Sequence, residues 1–113
     1  AALANEIVAH LPENTFSIRV TGEMVQHGKP AAEPYLLGAR LLMEHHDDVE
    51  LSLDRLVAIE DSEPGVTSAM AAGITTIGVP NILDLPPRPD LTVWDTLENK
   101  TIADLSALIP AAV

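Results

Sequence analysis

Apolar and polar positions change their period several times along the 113 residues. Leu3, Ile7, Val8 and Leu11 recur at helical spacing and predict a helix over 1–11, closed by Pro12 and Asn14. The stretch "FSIRV" (16–20) instead alternates Phe16, Ile18 and Val20, which predicts a strand with one buried face. A polar loop follows, "TGEMVQHGKP". From Ala31 to Glu44, the positions Leu36, Leu37, Ala39, Leu41 and Met43 predict a largely buried helix, with Pro34 tolerated in its first turn. After the polar "HHDDVELSLD", the stretch "RLVAIE" (55–60) has a continuous apolar centre. That pattern predicts a central parallel strand covered on both faces.

The second half is punctuated more sharply. Either Ser62 or Asp61 caps the next helix, Pro64 fits its first turn, and Gly73 closes it in a left-handed conformation. "ITTIGV" (74–79) predicts another buried strand, "PNILDLPPRPD" a rigid loop, and "LTVW" a short edge strand. Ile102, Leu105, Leu108 and Ile109 share one face of a short helix over 101–109. Helices alternating with short apolar strands specify an α/β architecture, a Rossmann-like doubly wound parallel sheet. The length suits one domain, residues 1–113, or a piece of a larger one.

Composition narrows the partners. The net charge is −11 with only 6 Lys and Arg, which argues against a nucleic-acid footprint and against adhesion to anionic membranes. Without cysteine there is no disulfide, no thiolate metal site and no cysteine nucleophile, a usage that fits a cytoplasmic location. No apolar run approaches the ~20 residues of a membrane span. The opening "AALANEIVAHLPE" has no basic segment of the signal-peptide kind and reads as though it begins within a helix. With 3% aromatic residues, Leu, Ile, Val and Ala must form the core.

Two stretches carry candidate chemistry. Glu60 and Asp61 end the most apolar strand, and in open α/β sheets ligands bind at that carboxyl edge. Adjacent carboxylates there make a hard oxygen site, suited to magnesium with waters and phosphate oxygens completing its shell. The dipeptide alone equally fits a helix cap beside a solvated glutamate. The second stretch is "HGKP", where Lys29 precedes a helix and could set a compact positive charge over a phosphate or between carboxylates. Alone, it also fits a surface turn.

Taken together, "GKPAAEPYLLGARLL", an intervening strand, and "IEDSEPGVTSAMAAGITTIGVP" resemble the haloacid dehalogenase-like hydrolases, in the branch of β-phosphoglucomutase and small phosphatases. The similarity covers about residues 17 to 80. It implies that Gly28-Lys29-Pro30 is the family's lysine element and that Glu60-Asp61-Ser62-Glu63-Pro64-Gly65 is its acidic element. It further implies phosphoryl transfer through an aspartyl-phosphate, with Glu60 and Asp61 helping to hold Mg²⁺. Lys29 would then neutralise charge on the nucleophile and the transferring oxygens, supported by Gly28. Ser62 would steady the acidic loop, and Gly65 would let the following helix pack closely. The implied substrate is a small phosphorylated metabolite.

The family's D-x-D element, which supplies nucleophile and general acid, is absent from these residues, as are its second motif and its cap. The resemblance therefore implies the C-terminal part of such an enzyme, inactive alone, whose sheet order 5-4-1-2-3 lacks strands 1 and 2. The missing N-terminal half, from the same protein or another chain, would complete it. The alternative from a different class is a non-catalytic binding or assembly module whose sheet a partner completes. Other features point elsewhere. "EHHDD" (44–48) reads as a solvated helix end, His27 as an exposed turn residue, Tyr35 and Trp94 as packing aromatics, and "PPRP" as a rigid loop.

Overall fold

The computed structural model describes residues 17–46, 52–81 and 84–109. The helix expected over 1–11 and Phe16 lie outside them. The described elements run α1 (Glu33–His45), β1 (Val57–Glu60), α2 (Glu63–Ala71), β2 (Thr75–Gly78), β3 (Leu91–Val93) and α3 (Ile102–Ser106). Single 3₁₀ turns occupy Gly22–Met24 and Leu53–Arg55. The three strands form one parallel sheet in the order β1-β2-β3. Register sets Ala58 beside Thr76 and Glu60 beside Gly78, and Ile77 beside Thr92. An open parallel sheet with flanking helices is the fold class that the alternation of elements specifies.

Local signals explain the element ends. The Ser62 hydroxyl accepts from the Gly65 amide at 3.2 Å and caps α2, so Ser62 rather than Asp61 takes that role. Pro64 occupies the first turn, where no amide partner is lost. At the other end Gly73 has φ +80°. Its amide bonds to the Met70 carbonyl at 3.0 Å and the Ile74 amide to the Ala69 carbonyl at 3.2 Å, a Schellman close that turns the chain straight into β2. Thr101 and Asp104 form a reciprocal capping box that starts α3.

The core lies between α2 and the sheet. Ala58, Ala69, Ala72 and Ile74 pack as one buried cluster, joined at its margin by Ala32, Tyr35, Leu53 and Leu56. Alanine on α2 lets the helix axis approach the strands closely, which suits a chain poor in aromatics. Ala58 and Glu60 point to the helix-covered face, because side chains alternate across a strand. Ile59 points the other way and is 41% exposed.

Three expectations need correction, the first being a largely buried α1, on which only Ala39 is buried and Leu36 is 46% exposed. Residues 18–20 carry no strand, although the alternation of "FSIRV" predicts one. A strand exists only where a neighbouring strand takes its backbone hydrogen bonds, and none does so among the described residues. Ile18 and Val20 instead line a cleft of about 330 Å³ against α1 and β1. For the same reason β1 is an edge strand of the described sheet, paired only with β2, and is not covered on both faces. Its apolar centre suits a position with a neighbour on each side, as the family's strand order implies.

Candidate active site

The Lys29 loop is held at several points before it reaches the acids. The Glu33 carboxylate, in the first turn of α1, accepts from the amides of Gln26 at 2.7 Å and His27 at 3.2 Å. The Gly28 carbonyl accepts from the Ala31 amide at 3.0 Å, closing a turn around the Lys29-Pro30 peptide, which is cis. A Cβ on Gly28 would meet nothing within 4 Å, so Gly28 contributes through its backbone and not by avoiding a clash. On α2, the fully buried Ser68 donates from its hydroxyl to the Ala31 carbonyl at 2.6 Å. That bond ties the loop directly to the helix that follows the acidic pair.

Glu60 closes the arrangement. Lys29 Nζ lies 3.4 Å from both of its carboxylate oxygens. The Tyr35 hydroxyl, from the first turn of α1, donates to Oε2. The Glu60 side chain is only 10% exposed while that of Lys29 is 45% exposed, so the pair sits at a boundary with its cation toward solvent. Such a half-buried ion pair is worth more than a fully solvated one, and its hydrogen bond from Tyr35 offsets part of the desolvation. Burial, then the bond to Glu60 and its charge, raise the Tyr35 phenol well above its ordinary range. The hydroxyl therefore stays a donor throughout the neutral region.

Room for this carboxylate comes from Gly65. A Cβ built there would lie 1.8 Å from Glu60 Oε1. Gly65 thus makes room for Glu60, a role its place in the E-D-S-x-x-G run does not state on its own.

Asp61 is the more exposed of the two acids. It is exposed at the carboxyl end of β1 and lines a recess of about 320 Å³ with Ile59, Glu60, Val79 and Asn81. Its neighbour Ser62 caps α2, so the acid stands beside the positive end of that helix. Among the described residues no three His, Asp or Glu side chains converge as a metal cage. A hard cation that takes one or two protein carboxylates and fills its shell with water and phosphate oxygens fits this donor set.

The structure brings Lys29 and Glu60 together, and Asp61 shares a recess with Glu60. Sequence reasoning missed Ser68; Tyr35 packs on the core as expected, but its bond to Glu60 goes beyond that reading. Both act across long sequence separations, and no local pattern signals either bond. Trp94 receives the Lys100 ammonium 4.6 Å from its ring centroid, and Arg88 of "PPRP" bonds to the Thr67 hydroxyl at 2.6 Å. His46 approaches the Ser17 hydroxyl at 3.2 Å, at the helix end.

Comparison with known proteins gives a consistent picture. No family model matches the chain. Hexitol phosphatase A of Escherichia coli is 39% identical over 102 residues, 89% of this chain and 43% of that protein. Glycerol-1-phosphate phosphohydrolase 2 of Saccharomyces cerevisiae is 35% identical over 66 residues, 58% of this chain and 26% of that protein. Among solved structures, CbbY from Rhodobacter sphaeroides in complex with phosphate matches with a TM-score of 0.68 and 30% identity, over 86% of this chain and 41% of that one. A HAD hydrolase, family IA, variant 3, from Entamoeba histolytica matches with a TM-score of 0.63 and 25% identity, over 77% of this chain and 38% of that one. The chain therefore spans less than half the length of the relatives it matches. With the lysine and acidic elements in place and both sequence and fold in agreement, the chain belongs to the haloacid dehalogenase-like superfamily.

Proposed function

We propose that residues 1–113 form the C-terminal portion of the core of a magnesium-dependent phosphatase or phosphosugar mutase. Its substrate would be a small phosphomonoester, and its location the cytoplasm. The observation that carries this reading is the Lys29 ammonium 3.4 Å from both Glu60 oxygens, at the carboxyl end of β1 and next to Asp61. The names of the relatives support the substrate class: one is a hexitol phosphatase, and a second crystal structure of CbbY holds xylulose-(1,5)bisphosphate. No helix among the described residues is long and apolar enough to cross a membrane.

In this reading the roles divide by environment. Glu60, engaged by Lys29 and Tyr35, orients the lysine and closes one side of the metal site. Asp61, exposed beside it, presents the more accessible carboxylate to Mg²⁺. Bound Mg²⁺ would supply charge neutralisation for the phosphoryl group. Lys29 sets its ammonium against the transferring oxygens, so that charge developing there meets a fixed cation. Gly28 and Ser62 hold the two loops that carry these groups. The aspartyl nucleophile lies outside this chain, on a strand that would pair with the side of β1 that has no neighbour among the described residues.

Assay of p-nitrophenyl phosphate hydrolysis tests this. The 113-residue chain should show no turnover, and a polypeptide that adds a D-x-D strand should show magnesium-dependent turnover lost in Lys29→Met. Turnover by the chain alone, or none in the longer polypeptide, overturns the reading. The edge of β1 that has no strand beside it among the described residues also supports a second reading, a non-catalytic module that completes its sheet with a partner chain. A partner that restores a stable fold without restoring turnover would favour it.

A further inference from the structure

Tyr35 stands apart from the residues that the lysine and acidic elements account for, yet it touches the centre of the site. Its hydroxyl donates to Glu60 Oε2, on the side of the carboxylate facing α1. The opposite side is pressed against Gly65, where even a methyl group would overlap Oε1. Lys29 Nζ is equidistant from the two oxygens at 3.4 Å. Glu60 is thus seated by two hard constraints, and Lys29 is held by the carboxylate they seat. A carboxylate at the end of two rotatable methylenes has several staggered positions. Gly65 admits this position, and the phenol selects it.

The phenol is itself well anchored. Tyr35 lies in the first turn of α1, two residues after Glu33, which grips the Lys29 loop, and its ring packs on the buried cluster around Ala58. The same short helical segment therefore holds both the loop that carries the cation and the acid that receives it.

We propose that Tyr35 is a positioning residue of the phosphoryl-transfer site, acting through Glu60 to hold the Lys29 ammonium toward the transferring oxygens. This rests on the function proposed above and adds a residue to it. The role is one of orientation, since the hydroxyl contacts Glu60 and need not touch substrate. Loss of a hydrogen bond to a charged group predicts a fall of about tenfold in the transfer rate. The effect should fall on kcat more than on KM, because a fixed cation matters most where charge develops.

Two measurements test the proposal separately from the function it rests on. In the complete protein labelled with ¹³C at tyrosine Cζ, the resonance lost in Tyr35→Phe belongs to Tyr35 and reports the bond directly. In Glu60→Ala that resonance should move toward the position of free tyrosine. An unmoved resonance overturns the contact and the proposal. In the complete protein that carries these residues, Tyr35→Phe should lower kcat on p-nitrophenyl phosphate about tenfold. KM should change little, and the melting temperature should fall by no more than roughly several degrees. An unchanged kcat, or a fall that only tracks lost folded protein, overturns the positioning role. If the unsubstituted protein hydrolyses no phosphomonoester, the functional reading fails and the positioning role of Tyr35 fails with it. The resonance still reports whether the contact exists, so the two failures are distinguishable.

Discussion

Gly65 leaves the space that the Glu60 carboxylate occupies: a methyl group on its Cα would stand 1.8 Å from Oε1. The acid and the glycine are five positions apart, at the end of β1 and in the first turn of α2, so the turn between them fixes the fit. In Gly65→Ala the end of a flexible side chain must move, and moving it breaks the contacts with Lys29 and Tyr35. Stability should fall by about 1–3 kcal/mol, read by thermal melting. Phosphatase activity of the complete protein should fall much further than the folded fraction does.

Ser68→Ala should cost about 1–3 kcal/mol, because it strips a buried partner from the Ala31 carbonyl. The loop that carries Lys29 would lose its tie to α2. Hydrogen exchange at the amides of residues 26–31 should accelerate more than exchange in β2. Equal acceleration everywhere would show a global effect in place of a local one.

Ser62→Ala removes the α2 cap and should destabilise the chain by about 1 kcal/mol. Ser62→Asp, which keeps a capping oxygen and adds charge favourable to the helix end, should recover most of that loss in a denaturant melt.

Asp61→Asn separates the two acids functionally. In the complete protein, the thermal stabilisation by millimolar Mg²⁺ should be weakened in Asp61→Asn more than in Tyr35→Phe, since Tyr35 bears on Glu60 alone. Equal weakening would mean that Glu60 carries the metal.

The raised Tyr35 phenol predicts a specific pH dependence. The folded chain keeps its proton to higher pH than the unfolded chain, whose tyrosine ionises near the ordinary value of about 10. The contribution is therefore complete below pH ~10 and declines above it, because the unfolded state then binds fewer protons. Stability measured by denaturant from pH 8 to 11 should fall less steeply in Tyr35→Phe than in the unsubstituted chain.

Legibility in the sequence followed the range of each interaction. Ser62, Pro64 and Gly73 act on amides within a few residues, and each marks its helix end as the pattern predicts. The lysine loop and the acidic pair, 31 positions apart at Lys29 and Glu60, were joined by resemblance, since no local periodicity connects them. Tyr35 to Glu60 and Ser68 to Ala31 span 25 and 37 positions, and only the tertiary packing of α1 and its preceding loop against β1 and α2 reveals them. "FSIRV" shows the reverse limit. Its alternation is a property of the segment, whereas a strand is a property of a pair.

Among the described residues one side of β1 has no strand beside it, which has a practical consequence. An outward row of backbone donors and acceptors, flanked by Ile59, is a template on which another copy can stack. The 113-residue polypeptide, prepared concentrated and alone, should coalesce into higher-order species despite its strong negative charge. Added salt should hasten that coalescence by quenching the mutual repulsion that otherwise keeps the copies dispersed.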